Sequence, residues 1–339
     1  MADRLFLLGL CLMLCVVCIV ACGDDDDDDN DDAADDDALD DDTTDDDSID
    51  DDDDDTDDDD TGDDDTVDDD TTDDDTSDDD TADDDCDPLF PDLLITGHRG
   101  ATIYAPENTI PSFEAAISLG AYAVEIDVRN TSDGHFVLMH DDTVDRTTNG
   151  SGLVEEMTLA EIKQLLVKDW MYGGIHGDLR VPTLVEALTT IDALGGNVDI
   201  DMKTDDVEGA IQEVVENGFA DICFVYSSNW NKLERVRAVS AQVRIQPASS
   251  SVEDTEAILD LFDPAPEHIE IDSDGFTVAN IEMIHDAGAI VFMDSIGFRD
   301  AFALLGFKTA WRSMMERGVD IMQTDFVGAL IEYRDSLCE

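Results

Sequence analysis

Short apolar runs alternate with longer amphipathic segments from residue 92 onward, and this alternation constrains the fold more than any other feature. Repeated strand-then-helix units indicate a parallel sheet, because parallel strands need helical crossovers. Roughly eight units favour a closed (β/α)8 TIM barrel over an open doubly wound sheet. The predicted strands are Leu93–Thr96, Ala123–Val128, Phe136–His140, Val198–Met202, Ile222–Tyr226, Gln242–Gln246, His268–Ile271, Ala289–Met293 and Ile321–Gln323.

Helix-like stretches lie between these runs, and several have start and stop signals. Thr158 before Glu161 and Thr277 before Val278 indicate helix starts. Glycines mark the expected helix ends at Gly120, Gly195, Gly218, Gly288 and Gly318. The predicted helices are Thr109–Leu119, Thr158–Leu166, Leu184–Leu194, Val207–Asn217, Lys232–Val239, Val252–Leu261, Val278–Ala287 and Ala301–Arg317.

Residues 1–22 predict a lipoprotein signal peptide. The run from Leu5 to Val20 is almost unbroken apolar sequence, short for a membrane span, and small residues precede Cys22. Cys22 resembles the lipobox cysteine of bacterial lipoproteins, which is lipidated and becomes the new N-terminus. An uncleaved N-terminal anchor is the alternative. Both interpretations predict an exported protein held on a bacterial membrane, on its periplasmic or cell-surface side.

Residues 23–87 predict a disordered, aspartate-rich tether. Residues 24–85 contain 42 aspartates and no Lys or Arg, and Thr-x-Asp-Asp-Asp occurs five times in succession. Like charges at this density repel one another into an extended coil that cannot form a core. We therefore interpret the segment as a spacer. Weak calcium binding is a second interpretation, although the spacing matches no ordered calcium loop.

Residues 88–339 form the predicted barrel domain, with 44 acidic and 16 basic residues. This acidic balance repels phosphate backbones, so no nucleic acid partner is expected. Cys223 lies in an apolar run and predicts an inert core thiol. Cys86 and Cys338 lie at the two ends of the domain, and a disulfide between them is expected if the fold brings them close in an oxidising compartment.

Polar residues follow or end several apolar runs, which is where a barrel places its functional groups. Glu125 and Asp127 are two apart on a strand, so both point to one face. Such a pair repels unless a proton or a cation separates the charges, and hard oxygen ligands favour Ca²⁺ or Mg²⁺. His98 and His140, with Arg99 as a phosphate contact, could divide acid and base roles in phosphodiester cleavage.

A family resemblance rests on five motifs: Gly97-His98-Arg99-Gly100, Pro106-Glu107-Asn108-Thr109, Glu125-x-Asp127, His140-Asp141 and Asp145-Arg146-Thr147-Thr148-Asn149-Gly150-x-Gly152. In combination they resemble the glycerophosphodiester phosphodiesterase family. The match is dense from Ile95 to about Leu165 and thinner beyond. The resemblance implies a (β/α)8 barrel with a small insertion after the His-Asp pair, here Asp142 to about Asp178.

The resemblance also implies a reaction: metal-dependent hydrolysis of glycerophosphodiesters to sn-glycerol 3-phosphate and an alcohol such as choline. It makes His98 and His140 the acid/base pair. The implied ligands of a Ca²⁺ or Mg²⁺ ion are Glu125, Asp127 and Asp201.

The implied substrate contacts are Arg99, Lys203 and Glu107, and two departures from the family pattern affect the site. The family usually has glutamate where Asp201 stands, which shortens the third ligand by one methylene. Its Trp-Thr-x-Asn is replaced by Phe292-Met293-Asp294-Ser295, which changes the expected substrate wall.

Two alternatives to this function stay open. The same chemistry could act on a lysophospholipid or a sphingolipid, in the manner of a phospholipase D, because the substrate wall differs. A catalytically silent binding lipoprotein would be expected to lack at least one histidine or metal ligand, and none is missing here.

Overall fold

The structure, a computed structural model, describes residues 89–169 and 174–337. The predicted signal peptide, the predicted tether, Cys22, Cys86 and Cys338 lie outside these residues. Across the two described ranges, no helix has both the length and the apolar character needed to cross a membrane.

The strands are short and are separated by helices through most of the described chain. They are β1 Leu94–Gly97, β2 Ala123–Asn130, β3 Phe136–Leu138, β4 Lys168–Asp169, β5 Gly174–Ile175, β6 Asn197–Asp201, β7 Cys223–Ser227, β8 Arg244–Ser249, β9 His268–Ile271, β10 Ile290–Asp294 and β11 Ile321–Thr324. The helices are α1 Ile110–Ser118, α2 Leu159–Ile162, α3 Leu184–Ala193, α4 Val207–Glu216, α5 Trp230–Val239, α6 Val252–Leu261, α7 Val278–Asp286, α8 Phe298–Leu304, α9 Thr309–Arg317 and α10 Val327–Asp335.

Eight parallel strands close into a barrel in the order β1-β2-β6-β7-β8-β9-β10-β11, and β11 pairs with β1. Leu94 aligns with Ile321 at this closure, and Thr96 aligns with Ala123 on the other side of β1. The predicted (β/α)8 barrel is confirmed. Closure leaves the barrel itself without an edge strand, so the open doubly wound arrangement is excluded.

One predicted strand differs from the expected parallel arrangement. Strand β3 lies outside the barrel and pairs antiparallel with β2, with Leu138 opposite Val128. Residues 131–135 are too short for the helical crossover that a parallel pair needs, so the chain turns back as a hairpin. His140 therefore closes no barrel strand, but the hairpin returns the chain to the middle of β2, where the Met139 N–H donates to the Asp127 carbonyl at 3.0 Å.

The helix predictions are confirmed in outline and differ at three places. The segment Ala301–Arg317 is not one helix, because the chain turns at Gly306 between α8 and α9. Helix α2 is shorter than expected and ends at Ile162. Helix α10 was not predicted, since its N-cap is Phe326, which makes no side-chain capping bond. The five glycines expected at helix ends all have positive φ.

Three groups of apolar residues form the core. The largest lies between the barrel and its helices and includes Cys223, which is buried and free, as expected of a core thiol. A second fills one layer of the barrel interior with Ala123, Phe224, Phe292 and Ile321. The third belongs to the insertion after β3, which carries a 3-10 helix, α2 and the antiparallel pair of β4 and β5 at the implied position.

Helix α8 is attached to the barrel through the buried carboxylate of Asp300. It accepts hydrogen bonds from Ser295 Oγ (2.6 Å), Trp311 Nε1 (2.8 Å), Thr324 Oγ1 (2.7 Å) and the Asp325 N–H (3.1 Å). Burial raises the pKa of Asp300 to about 6.

Removing this carboxylate is expected to destabilise the fold. We expect Asp300→Ala to lower the free energy of unfolding by about 3 kcal/mol, because it leaves several buried donors without an acceptor. Urea denaturation measures the change. The exposed Asp274→Ala is the control, with a change within about 0.5 kcal/mol. Equal stability of the two variants would contradict the assigned role of Asp300.

Candidate active site

The turn after β1 holds Arg99 in a strained backbone conformation. Its φ is +54°, in the left-handed region that non-glycine residues rarely adopt. The Arg99 N–H donates to Glu125 Oε2 at 2.7 Å, and Ser112 Oγ donates to the Arg99 carbonyl at 3.1 Å. The next residue, Gly100, has φ +93° and lies against Ser112 with no room for a Cβ. The turn is therefore fixed from two sides.

His98 is held by a carboxylate from the other end of the chain. Its Nδ1 lies 2.8 Å from Asp325 Oδ1, because closure of the barrel places the residue after β11 beside the residue after β1. Burial and the nearby Arg99 lower the pKa of His98, but the ion pair and hydrogen bond with Asp325 outweigh them and raise it above its ordinary value. This pairing favours the tautomer with the proton on Nδ1.

His140 has the same kind of partner from its own sequence neighbour. Its Nδ1 lies 2.9 Å from Asp141 Oδ1, and the Arg129 guanidinium donates to the His140 carbonyl at 2.7 and 3.0 Å. Arg146 donates to both Asp141 oxygens at 2.8 Å. Burial raises the pKa of Asp141, but hydrogen bonds from His140 and Arg146 hold it well below its ordinary value. Asp141 is therefore an ionised orienting group for the imidazole.

Three carboxylates meet at the carboxyl ends of two adjacent strands. Glu125 and Asp127 come from β2 and Asp201 from β6, where Asp127 and Asp201 are aligned. One oxygen from each lies within 4.8 Å of the other two. We call these residues the acidic trio. Their arrangement agrees with the same-face placement expected from the spacing of Glu125 and Asp127.

The electrostatics of the acidic trio suit a divalent cation. Burial and the neighbouring Asp127 raise the pKa of Glu125 well above its ordinary value. Burial also raises the pKa of Asp201, despite the nearby Lys203. For Asp127, Arg99, His140 and Lys203 outweigh burial and lower the pKa. A cation would relieve the repulsion within this buried, all-oxygen set, which fits Ca²⁺ or Mg²⁺.

Two basic side chains border the acidic trio. Lys203 Nζ lies 2.8 Å from Asp201 Oδ2 and 3.8 Å from Asp127 Oδ1, and Arg99 Nε lies 3.6 Å from Asp127 Oδ2. Burial lowers the pKa of Lys203, but Asp201 and Asp127 raise it overall. Both side chains are cationic, so they present positive charge beside the trio.

Glu107 binds two arginines, and one of them, Arg99, lies between Glu107 and the acidic trio. Arg146 donates to its two oxygens at 2.6 and 2.8 Å, and Arg99 Nη1 donates at 3.3 Å. Burial raises the pKa of Glu107, but these arginines outweigh it and lower the pKa. The contacts of Glu107 are those of a residue that positions Arg99 and Arg146.

Asn108 is a site residue to which the sequence reasoning gave no role. Its Nδ2 donates to Asp127 Oδ2 at 2.6 Å, and its Oδ1 accepts from the Asp127 N–H at 3.1 Å. Its φ is +52°, a conformation that asparagine tolerates better than most residues. Membership of the Pro-Glu-Asn-Thr motif was the available signal. Arg146, in the motif that runs from Asp145 to Gly152, was likewise given no role.

More carboxyl groups lie inside the barrel. Gln246 Nε2 donates to Glu270 Oε2 at 2.7 Å and approaches Asp199 Oδ2 at 3.4 Å. Burial and neighbouring carboxylates raise the pKa of both acids well above their ordinary values. Strand alternation was the available signal, because Asp199 is two residues before Asp201 and therefore points to the same face.

The segment Phe292–Ser295, which replaces the family's expected substrate wall, lies partly in the barrel core and partly in the loop after β10. Phe292 is buried in the barrel interior. Ser295, at the end of the segment, donates from its Oγ to Asp300 at 2.6 Å. Both of these side chains are thus engaged in packing or in holding α8.

The fold and the site together define a (β/α)8-barrel protein with a carboxylate-rich centre at the carboxyl ends of its strands. Residues 98–329 match the model of the glycerophosphoryl diester phosphodiesterase family, so the chain belongs to this family.

Relatives and solved structures agree with this placement. The chain is 38% identical over 158 residues to glycerophosphodiester phosphodiesterase of Caldanaerobacter subterraneus, covering 45% of this chain and 65% of the relative. It is 40% identical over 135 residues to glycerophosphodiester phosphodiesterase of Bacillus subtilis, covering 37% and 45%. These alignments span less than two thirds of either relative.

The structural similarity is more extensive. A phosphodiesterase of Oleispira antarctica, solved in complex with the product sn-glycerol-3-phosphate, is 27% identical with a TM-score of 0.62 and covers 72% of this chain and 97% of that one. A glycerophosphoryl diester phosphodiesterase of Parabacteroides distasonis is 26% identical with a TM-score of 0.65, covering 73% and 87%.

Proposed function

We propose that this chain is a metal-dependent phosphoric diester hydrolase that cleaves glycerophosphodiesters to sn-glycerol 3-phosphate and an alcohol. The observation that carries the proposal is the acidic trio, with one oxygen from each member within 4.8 Å of the others, bordered by two histidines that each have a carboxylate partner. Family membership and the product bound to the Oleispira antarctica relative support the substrate class.

The charges of the site are matched to a phosphodiester. Arg99 and Lys203 donate hydrogen bonds to its non-bridging oxygens, and Glu107 keeps Arg99 in place. A divalent cation held by Glu125, Asp127 and Asp201 supplies further positive charge when bound. The buried setting strengthens each of these interactions relative to water.

The two histidines move the protons. One takes a proton at Nε2 from the attacking water as its oxygen bonds to phosphorus; where a glycerol hydroxyl attacks instead, water opens the resulting cyclic phosphate in a second step. The other gives a proton from Nε2 to the alcohol oxygen as the P–O bond to that oxygen breaks. Asp325 and Asp141 orient the rings through Nδ1 and stabilise the imidazolium form.

Product analysis tests the proposal directly. The purified chain is incubated with glycerophosphocholine and Ca²⁺ or Mg²⁺, and ³¹P NMR follows release of glycerol 3-phosphate. Parallel reactions with lysophosphatidylcholine and sphingomyelin test the phospholipase D-like alternative. Cleavage of the lipids alone would replace the proposed substrate class, and no turnover of any substrate would favour the silent binding lipoprotein.

The Asp325 carboxylate is expected to set the pH dependence of turnover. In Asp325→Asn the acceptor charge is gone, while burial and Arg99 still lower the pKa of His98. That pKa then falls, so the limb of the kcat/KM profile governed by His98 shifts to lower pH. The acid limb moves if His98 is the base, and the alkaline limb if it is the acid.

The shift is measured as a full pH–rate profile against the parent chain. Asp274→Asn, an exposed acid in the loop after β9, is the control and should leave both limbs in place. Two unmoved limbs in Asp325→Asn would refute the assigned role of His98.

We propose further that the signal peptide is cleaved before Cys22 on export, that Cys22 becomes the lipidated N-terminus, and that residues 23–87 tether the barrel of residues 88–339 to the membrane. Metabolic labelling with radioactive palmitate tests this arrangement. We expect label in the parent chain and none in Cys22→Ser. Equal labelling of both chains would refute the anchor.

A further inference from the structure

An exposed group of large apolar side chains lies on and just after α8. In the two described ranges, ten large hydrophobic residues are exposed, and half of them fall within residues 298–307. Phe298 is 75% exposed, Phe302 51% and Phe307 62%. We call this surface the apolar rim; its members are Phe298, Phe302, Leu304, Leu305 and Phe307. A concentration of this kind on one short segment marks an interaction surface.

The apolar rim lies at the mouth of the active site. Asp300, on the buried side of α8, accepts the hydrogen bond from the Asp325 N–H, and Asp325 in turn holds His98. Only two residues connect the rim to the proposed acid/base pair. Ile103 and Tyr104, in the loop after β1, are also exposed at this end of the barrel.

The charge around the rim differs from that of the rest of the domain. Between residues 298 and 308, the segment that holds the rim, the basic residues are Arg299 and Lys308. The one acid in this segment is Asp300, which is buried. The segment is thus locally basic, whereas residues 88–339 as a whole carry a large excess of acids. Exposed phenylalanines and leucines with basic side chains around them are typical of helices that lie in a membrane interface.

We propose that the apolar rim docks on the surface of a lipid bilayer and turns the mouth of the barrel toward the headgroups. The chain preceding the barrel allows this orientation. Residues 23–87 reach roughly 200 Å when extended, several times the length of a small domain. The barrel chain begins at the amino-terminal end of β1, whereas the rim lies at the other end of the barrel. A tether of this length lets that other end face the membrane to which the tether is anchored. The docking rests on this surface and on the length of the preceding chain, and it goes beyond the proposed hydrolysis.

Vesicle binding tests the proposal. The chain from residue 22 onward is used with Cys22→Ser, because a lipid at Cys22 would hold any variant on a membrane. Co-sedimentation with phosphatidylcholine vesicles measures its partition coefficient. We expect the partition coefficient of the double variant Phe298→Ser/Phe307→Ser to be lower than that of the parent by a factor of about ten or more.

The matched control is Leu194→Ser/Leu261→Ser. These two leucines are 44% and 43% exposed, and they lie at the carboxyl ends of α3 and α6, at the opposite end of the barrel. The control should bind as the parent does. Thermal unfolding checks that both double variants are folded, so that weaker binding reports the surface.

Three results would overturn the docking: no vesicle binding by the parent, equal loss in the control, or undiminished binding by the rim variant. Sedimentation equilibrium tests whether a second copy of the chain, instead of a bilayer, occupies the rim. Self-association that the rim variant abolishes, without vesicle binding, would assign the surface to a second copy of the chain instead. Because binding is read without turnover, failure of the proposed hydrolysis leaves this result intact.

Discussion

Chelation of divalent cations is expected to abolish turnover of glycerophosphocholine, and added Ca²⁺ or Mg²⁺ is expected to restore it. Without a cation, the buried Glu125 is left beside Asp127, and the site loses charge that offsets the phosphodiester. Activity is measured after EDTA treatment and dialysis, followed by titration with each metal. Full activity of the metal-free chain would contradict the proposed role of the acidic trio.

Loss of one ligand should lower the affinity of the site for the cation and leave the stability of the fold largely unchanged. We expect Asp201→Asn to raise the cation concentration for half-maximal activity by about 10- to 100-fold or more, since even outer ligand partners contribute this much. The matched control is Asp199→Asn, two residues earlier on β6. Burial raises the pKa of Asp199 well above its ordinary value, which favours the neutral acid, and the amide of asparagine is its neutral counterpart. An equal shift in both variants would remove Asp201 from the ligand set.

Replacement of either histidine is expected to remove most of the catalytic rate. His98→Ala and His140→Ala should each lower kcat by about 10²- to 10⁴-fold, the usual contribution of a positioned proton donor or acceptor. KM should change little, because phosphate binding depends on Arg99 and Lys203. Steady-state kinetics at saturating metal measure both constants.

His285→Ala is the control for the histidine variants. His285 is partly exposed and pairs with Asp320 at 2.8 Å, just before β11 begins, at the end of the barrel away from the site. Its replacement should leave kcat within about twofold, as expected for a surface change distant from the chemistry. Near-parental kcat in His98→Ala would remove that residue from the acid/base pair.

The fold was predictable from local patterns because each strand and helix has its own periodicity and end signals. The antiparallel β3 was the exception. The short connection of residues 131–135 indicated this, since it cannot form the crossover that a parallel pair of strands needs. Helix α10 was missed because Phe326 provides no capping side chain. The break between α8 and α9 at Gly306 was missed because one glycine does not always end a helix.

The candidate site was predictable in part. The spacing of Glu125 and Asp127 was enough to place them on one face, and the motifs identified both histidines. The partners of these residues were harder to find. Asp325 is far from His98 in sequence and meets it only through closure of the barrel, and the buried position of Glu107 between two arginines depends on the insertion that brings Arg146 near.

The sequence by itself determined the barrel class, the family and the residue types that carry charge at the strand ends, because these are properties of short segments. The tertiary structure decided which charges meet. It placed Asp201 beside Asp127, Asp325 beside His98 and an exposed apolar rim beside the site. Burial and distant neighbours such as Asp325 beside His98 shift the pKa of the groups in the site, and both depend on residues that only folding brings together.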